Sequence, residues 1–318
     1  MPRPLRFATQ SWQPVEITAR TLQGRFLLRP STRLNLLIAG ILSLAKERYG
    51  VRIYNLVFLS NHFHIIAAAP SPCVMSGFMR FVMSNIAREV GRIYDWPGRF
   101  WERRYSAIPI ADDASLIHRM RYVFENGCKE GLVSHPAEWA GLNGVEALTT
   151  GSTIEGIWVN RTALYLASKG KNRKDINEED YTQRRELSLD PLPLWEGMSP
   201  KRLYRAAAAL VSDTAKSTLP KTRENQNARE KVAKRSPHHR PAKLKRGFAP
   251  LCHASSKAIA DAFRAAYRAF VAAYRTASEK LAQRLPHMGF PIHSQVMAFA
   301  VLSRETSNYR TFPLHVAP

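Results

Sequence analysis

Only two residues, Ser60 and Asn61, separate two runs that both have the composition of β-strands. Val51–Leu59 is rich in Val, Ile, Tyr and Phe, and His62–Ala68 continues the apolar pattern until Pro70-Ser71-Pro72 closes it. A connection this short lets the two strands pair with each other as an antiparallel hairpin. The period of two then fixes the faces. His62 and His64 leave one side of the second strand, and Phe63 and Ile65 leave the other, toward a core.

A two-stranded hairpin is marginal alone, so its flanks must complete the fold. Val15–Arg20 (VEITAR) reads as a strand. Thr32–Tyr49 reads as a helix, with Leu34, Leu37, Ile38, Ile41, Leu42 and Ala45 at three- and four-residue steps and Gly50 as its stop. Met75–Tyr94 reads as a second helix and Phe100–Ile110 as a strand with a basic middle. Asp112-Asp113 offers an N-cap for a third helix, Ala114–Lys129, with Gly131 just beyond its end. The order strand, helix, strand, strand, helix, strand, helix predicts an α+β fold over residues 1–148: a ferredoxin-like or RRM-like sandwich with a mostly antiparallel sheet. A basic, mainly helical C-terminal extension is expected to follow. In it, 149–216 reads as an accessory region with a short helix at Ser199–Val211, and 217–250 as a flexible basic arm. Residues 251–318 read as helical, and the helix Ser256–Leu285 carries a stripe of Ile259, Phe263, Tyr267, Phe270 and Tyr274. That stripe suits docking on the first domain or pairing with a second subunit in a homodimer.

Charge narrows the partners. The chain holds 47 Lys and Arg against 25 Asp and Glu, a net of +22. Such a field attracts polyanions, which makes nucleic acid the expected partner. Residues 201–246 alone hold 14 bases and 3 acids. Lys234, Arg235, Lys243, Lys245 and Arg246 in that stretch are expected to bind phosphates without base selectivity. Three widely spaced cysteines argue against a disulfide framework and a zinc knuckle. No run reaches the roughly 18 apolar residues of a membrane span, and the N-terminus lacks a signal-peptide core. The expectation is a cytoplasmic, nucleoid-associated protein with no membrane partner.

Two imidazoles side by side on a strand make half of a divalent metal site, although a lone His-x-His also arises by chance. The third helix offers a further ligand. Tyr122 and Asn126 are four apart and share one helix face; the plain alternative is that Tyr122 is an ordinary half-buried aromatic. Arg103 and Arg104, beside Phe100 and Trp101, are placed either to hold phosphates while the rings stack on bases or simply to solvate a strand.

The segments NHFHII, FWERRYSAI and RYVFENGCKEGLV resemble the single-tyrosine transposases with an HUH motif (His, bulky apolar, His), and most of all the REP-associated tyrosine transposases. The resemblance covers roughly residues 12–140. It departs from the subfamily at Gly127-Cys128, where Pro-Val is usual. It implies that His62, His64 and Asn126 hold Mg²⁺ or Mn²⁺ and that Tyr122 is the nucleophile. Arg119 and Arg121 would lie near the phenolate and the DNA. The implied reaction is transesterification of single-stranded or hairpin DNA through a 5′-phosphotyrosine, at hairpin-forming repeats. Tyr105, in the basic strand, is the competing tyrosine. Two other readings stay open: a catalytically silent DNA- or RNA-binding protein of the same fold, and a metal-dependent phosphoesterase whose tyrosine is structural.

Overall fold

The computed structural model describes residues 5–129, 132–169, 176–218, 235–241 and 249–282. Its centre is a four-stranded antiparallel sheet in the order β2-β3-β1-β4, from β1 (Val15–Arg20), β2 (Arg52–Phe58), β3 (His62–Ala68) and β4 (Ser106–Pro109). Helix α1 (Thr32–Tyr49) joins β1 to β2, α2 (Pro72–Ile93) joins β3 to β4, and α3 (Asp113–Lys129) follows. This is the expected ferredoxin-like α+β order, with the Ser60-Asn61 hairpin at its centre. The helix starts are chemically specified. Ser31 and Ser71 accept from the Leu34 and Val74 N–H groups, and Asp112 accepts from Ser115 N–H. Gly50 ends α1 at φ +60°, where a Cβ would be strained.

Both faces of the sheet are covered. Ile17, Phe63, Ile65 and Ala67 pack against α1 and α2 with Leu34, Ile38, Phe78 and Val82. On the opposite face Ile66 and Ala68 meet Leu116, Met120, Val123 and Phe124 of α3. That second core is extended by α4 (Val145–Thr150) and α6 (Pro200–Thr218), whose Ala207, Leu210 and Val211 are buried in it. Trp139 ties the layers together by donating its indole N–H to the Phe58 carbonyl at 2.8 Å.

Several elements differ from expectation. The strand expected over Phe100–Ile110 pairs only at Ser106–Pro109. Trp101 makes an isolated bridge to Thr21, and the chain then bends through Arg103 and Arg104, which are exposed. The helix expected at Ser199–Val211 runs on to Thr218, because Thr214 and Ala215 continue its buried face. Residues 235–241, inside the span expected as a flexible arm, lie on the loop after β1. There Arg25 and Arg29 donate to the His238 and Arg235 carbonyls, and the His239 ring packs on Phe26. The stripe of α7 (Lys257–Ala282) docks on the N-terminal segment, where Phe7 sits 5.4 Å from Phe263 and 4.9 Å from Phe270 between ring centroids.

The weakly periodic stretch 151–195 forms a hairpin, β5 (Ile154–Val159) with β6 (Thr182–Leu187), with α5 (Arg161–Ser168) between the strands. It packs backbone to backbone on α1. A Cβ on Gly40 would lie 2.0 Å from the Ile157 carbonyl oxygen, and one on Gly156 would lie 2.3 Å from Gly40 N. Neither neighbour is a flexible side chain, so any larger residue pushes the hairpin off. Gly40→Val is expected to cost about 2–3 kcal/mol by overpacking, read as a lower urea midpoint at unchanged slope. A midpoint equal to that of wild type would show that this contact does not hold the hairpin.

Candidate active site

The face of the sheet under α3 carries the polar residues of β1 and β3. Register places Thr18 beside His64 and Arg20 beside His62, with Glu16 next along β1 on the same face. The two imidazole rings are 5.3 Å apart between centroids and nearly perpendicular. Helix α3 lies across them and brings the Tyr122 ring to 5.4 Å from the His64 ring. One turn earlier on α3, the Arg119 guanidinium stacks 3.8 Å from the centre of the Tyr122 ring, and Lys129 Nζ lies 5.1 Å from it.

The hub of this arrangement is Glu16, a buried carboxylate 2% exposed. Oε1 accepts from His64 Nδ1 at 2.9 Å and from an Arg119 terminal nitrogen at 2.7 Å. Oε2 lies 2.7 Å from Arg119 Nε and 2.8 Å from His253 Nε2. Burial alone would push the Glu16 carboxyl up. Its contacts with His253, His64 and Arg119 outweigh burial and hold it well below the usual carboxylate range. A carboxylate can only accept, so a proton sits on His64 Nδ1, and in the neutral ring it is Nε2 that carries the lone pair. His62 is arranged alike, with Nδ1 2.7 Å from the Asn61 amide oxygen. Burial, then the neighbouring His64 and Arg20, push His62 down to about 3. His62 is therefore neutral, as a ligand must be, across the whole working range of pH.

A depressed carboxylate has a defined sign. Its contribution to stability is complete above the unfolded-state pKa of about 4.3 and is lost as pH falls below it. Wild-type protein should thus lose stability steeply on acidification below about pH 4.3, and Glu16→Gln should flatten that part of the urea-midpoint profile. The same acid slope in both proteins would contradict the assignment.

The remaining expected site residues are distributed as follows. Asn126 is buried on α3 and donates its amide to the Tyr122 carbonyl at 2.7 Å, a bond that occupies Nδ2 and not Oδ1. Arg119, expected near DNA, is turned inward with its side chain 12% exposed, because both oxygens of Glu16 hold the Nε–Nη2 edge of its guanidinium. Arg121 points the other way, 3.8 Å from Asp213 of α6. Arg103 and Arg104 are exposed at the sheet edge. Tyr105 packs with the α1/α2 core, and its hydroxyl lies 3.4 Å from Ser76 of α2, on the side of the sheet away from the histidines. Arg235 is exposed, and Lys234, Lys243, Lys245 and Arg246 lie outside the described residues. Among the described residues no group of three or more His, Cys, Asp or Glu side chains is placed to hold a metal.

Sequence reasoning missed Glu16, His253 and Lys129. The signal for Glu16 was an acid in phase with Thr18 and Arg20 on an otherwise apolar strand. His253 gave none. It reaches Glu16 because its segment pairs with the end of β4, its backbone bonding to Pro109 and Ala111. Gly127, where the resembled subfamily usually has proline, continues the helix, and an added Cβ there would lie 3.1 Å from Val133 Cγ2.

Residues 29–126 match the model of the family described as Transposase IS200 like. His62, His64, Tyr122 and Asn126 all fall inside the match, which spans somewhat under a third of the chain. One similar solved structure is a REP-associated tyrosine transposase bound to a REP hairpin, with 18% identity, 45% of this chain and 82% of that chain covered, and a TM-score of 0.39. Another is a putative transposase from Deinococcus radiodurans R1, with 14% identity, 39% and 95% covered, and a TM-score of 0.28. No curated protein matches the chain. Among the described residues no helix is long and apolar enough to cross a membrane.

Proposed function

We propose that this chain is a transposase-type DNA endonuclease and strand-transferase that works through a covalent link between Tyr122 and the 5′-phosphate of a cleaved single strand. The observation that carries the reading is the placement of one phenol 5.4 Å from an imidazole that is itself 5.3 Å from a second. The family match over residues 29–126 supports the reaction class.

The donor set fits a divalent cation, Mg²⁺ or Mn²⁺. Both histidines have Nδ1 engaged by an oxygen and Nε2 available, and a carboxylate behind His64 fixes its orientation, as carboxylates hydrogen-bonded to ligating histidines do in metal sites. Asn126 Oδ1 and the oxygens of the DNA itself are the remaining ligands available. When bound, the cation supplies Lewis-acid polarisation and orientation of the scissile phosphate.

The protein groups do the rest. Tyr122 Oη forms a bond to phosphorus while the P–O3′ bond breaks, leaving a 5′-phosphotyrosine and a free 3′-hydroxyl. The phenolic proton is lost to solvent and the departing 3′ oxygen regains one. Attack by another 3′-hydroxyl reverses the step, restores a phosphodiester and releases the tyrosine. No external energy source is needed, because one phosphoester replaces another. Arg119, held along one edge by both oxygens of Glu16, acts as a rigid platform that fixes the Tyr122 ring. Lys129 is the exposed cation beside that ring, suited to a phosphate oxygen.

The substrate reading is single-stranded DNA next to a hairpin; the REP-associated structure above is bound to a REP hairpin. The net charge of +22 supports a nucleic-acid partner. Incubation with end-labelled single-stranded DNA and Mn²⁺, followed by a denaturing gel, tests the proposal. A slow band of protein bound to DNA is expected. Binding without cleavage would favour a silent DNA-binding protein, and cleavage without the band would favour a phosphoesterase.

A further inference from the structure

On the opposite side of the sheet edge from the histidines lies a cavity of about 620 Å³. It is bounded by the bend before β4, the N-terminal segment and α7. Its volume is in the range that encloses a small ligand. Three arginines line it, Arg6, Arg103 and Arg104, together with four aromatic rings, Phe7, Tyr105, Phe263 and Tyr267. No Asp or Glu is among its lining residues.

Arg6 makes this more than a surface patch. Its guanidinium lies flat on the Tyr105 ring at 3.8 Å, and its Nε is buried with no hydrogen-bond partner. Two other inward-turned arginines are matched by carboxylates, Arg119 by Glu16 and Arg161 by Glu89. Arg6 has no such match among the described residues. Burial lowers its pKa to about 10, so it remains charged at neutral pH. A half-buried cation with an orphan donor, in a cavity with no acid among its described lining residues, is chemically incomplete until an anion arrives.

We infer that this cavity binds one unpaired nucleotide of a single-stranded DNA segment, its base against the aromatic rings and its phosphates on Arg6, Arg103 and Arg104. Aromatic faces beside arginines are the combination that takes an unstacked base with its backbone. β4 is the edge strand of the sheet, so a strand anchored here has only to pass over β4 to reach the face bearing His62, His64 and Tyr122. The site would therefore set the spacing between a held nucleotide and the scissile phosphate. This inference rests on the proposed function for the identity of the polymer, but its test does not depend on cleavage.

The test uses the full chain in EDTA, so that no metal-dependent cleavage intervenes. A set of single-stranded oligonucleotides, each abasic at one position, is titrated by fluorescence anisotropy. Wild type should show one position, at a fixed offset from the cleavage point, where loss of the base weakens binding about tenfold. Arg6→Gln and, separately, the exposed Arg104→Gln should weaken the intact oligonucleotide severalfold and abolish the difference at that position. A flat abasic profile in wild type would overturn the inference, as would variants that keep the wild-type profile. Competition by a free mononucleotide at the same concentration as the oligonucleotide would also overturn it, in favour of a small-molecule site. Covalent adduct formed by wild type together with a flat abasic profile would leave the proposed chemistry standing while this site failed. A position-specific abasic effect without any adduct would do the reverse.

Discussion

Tyr122→Phe is expected to lower cleavage of single-stranded DNA by at least about a thousandfold, a barrier increase of about 4 kcal/mol, and to remove the covalent band entirely. The substitution deletes one oxygen and keeps the ring. The contacts that place the ring, Arg119 at 3.8 Å on one side and His64 at 5.4 Å on another, involve the aromatic system rather than the hydroxyl. DNA affinity and thermal midpoint should therefore stay at wild-type values. A variant that still cleaves but leaves no covalent product would make water the nucleophile and the tyrosine structural. A variant that still forms the adduct would move the nucleophile to another residue.

Glu16→Gln should have two separable effects. Glutamine keeps the volume but not the charge, so Arg119 and His253 lose a buried counter-ion they reach at 2.7 and 2.8 Å. Breaking one side of a buried ion pair costs about 3–5 kcal/mol. Glutamine can also present its N–H₂ to His64 Nδ1, which would move the imidazole proton to Nε2 and remove the lone pair left for a cation. Loss of such an orienting carboxylate lowers metal affinity or activity by about 10–100-fold. Free Mn²⁺ titrated by electron paramagnetic resonance reads the second effect, and the urea midpoint reads the first. A purely structural Glu16 would lower the midpoint and leave Mn²⁺ affinity unchanged.

The catalytic-domain core was legible because its elements are amphipathic over their whole length. Thr32–Tyr49 and His62–Ala68 fall where the periods of 3.6 and 2 put them. The β5–β6 hairpin was illegible for a physical reason. Its attachment to α1 is a backbone contact between Gly40 and Gly156, and glycines leave no apolar period to read. β4 was over-read because Phe100, Trp101 and Tyr105 give strand composition to a stretch that bends at Arg103-Arg104 to line a cavity. At the site, His62, His64 and Tyr122 were visible as motif letters. Glu16 and His253 became visible only in three dimensions, since they meet from 237 positions apart through the pairing of His253 with the end of β4. Arg119 shows the same limit, because an arginine on a basic helix reads as a phosphate contact until a buried acid is found opposite it.

The identity of the linked residue is the most direct test of the account. Protein trapped on single-stranded DNA in Mn²⁺ would be treated with nuclease, digested with trypsin and sequenced by mass spectrometry. Arg121 and Lys129 bracket a peptide that begins at Tyr122, and that peptide should carry a nucleotide on its first residue. A nucleotide on the peptide that begins at Tyr105, or DNA cleaved with no modified peptide at all, would contradict it.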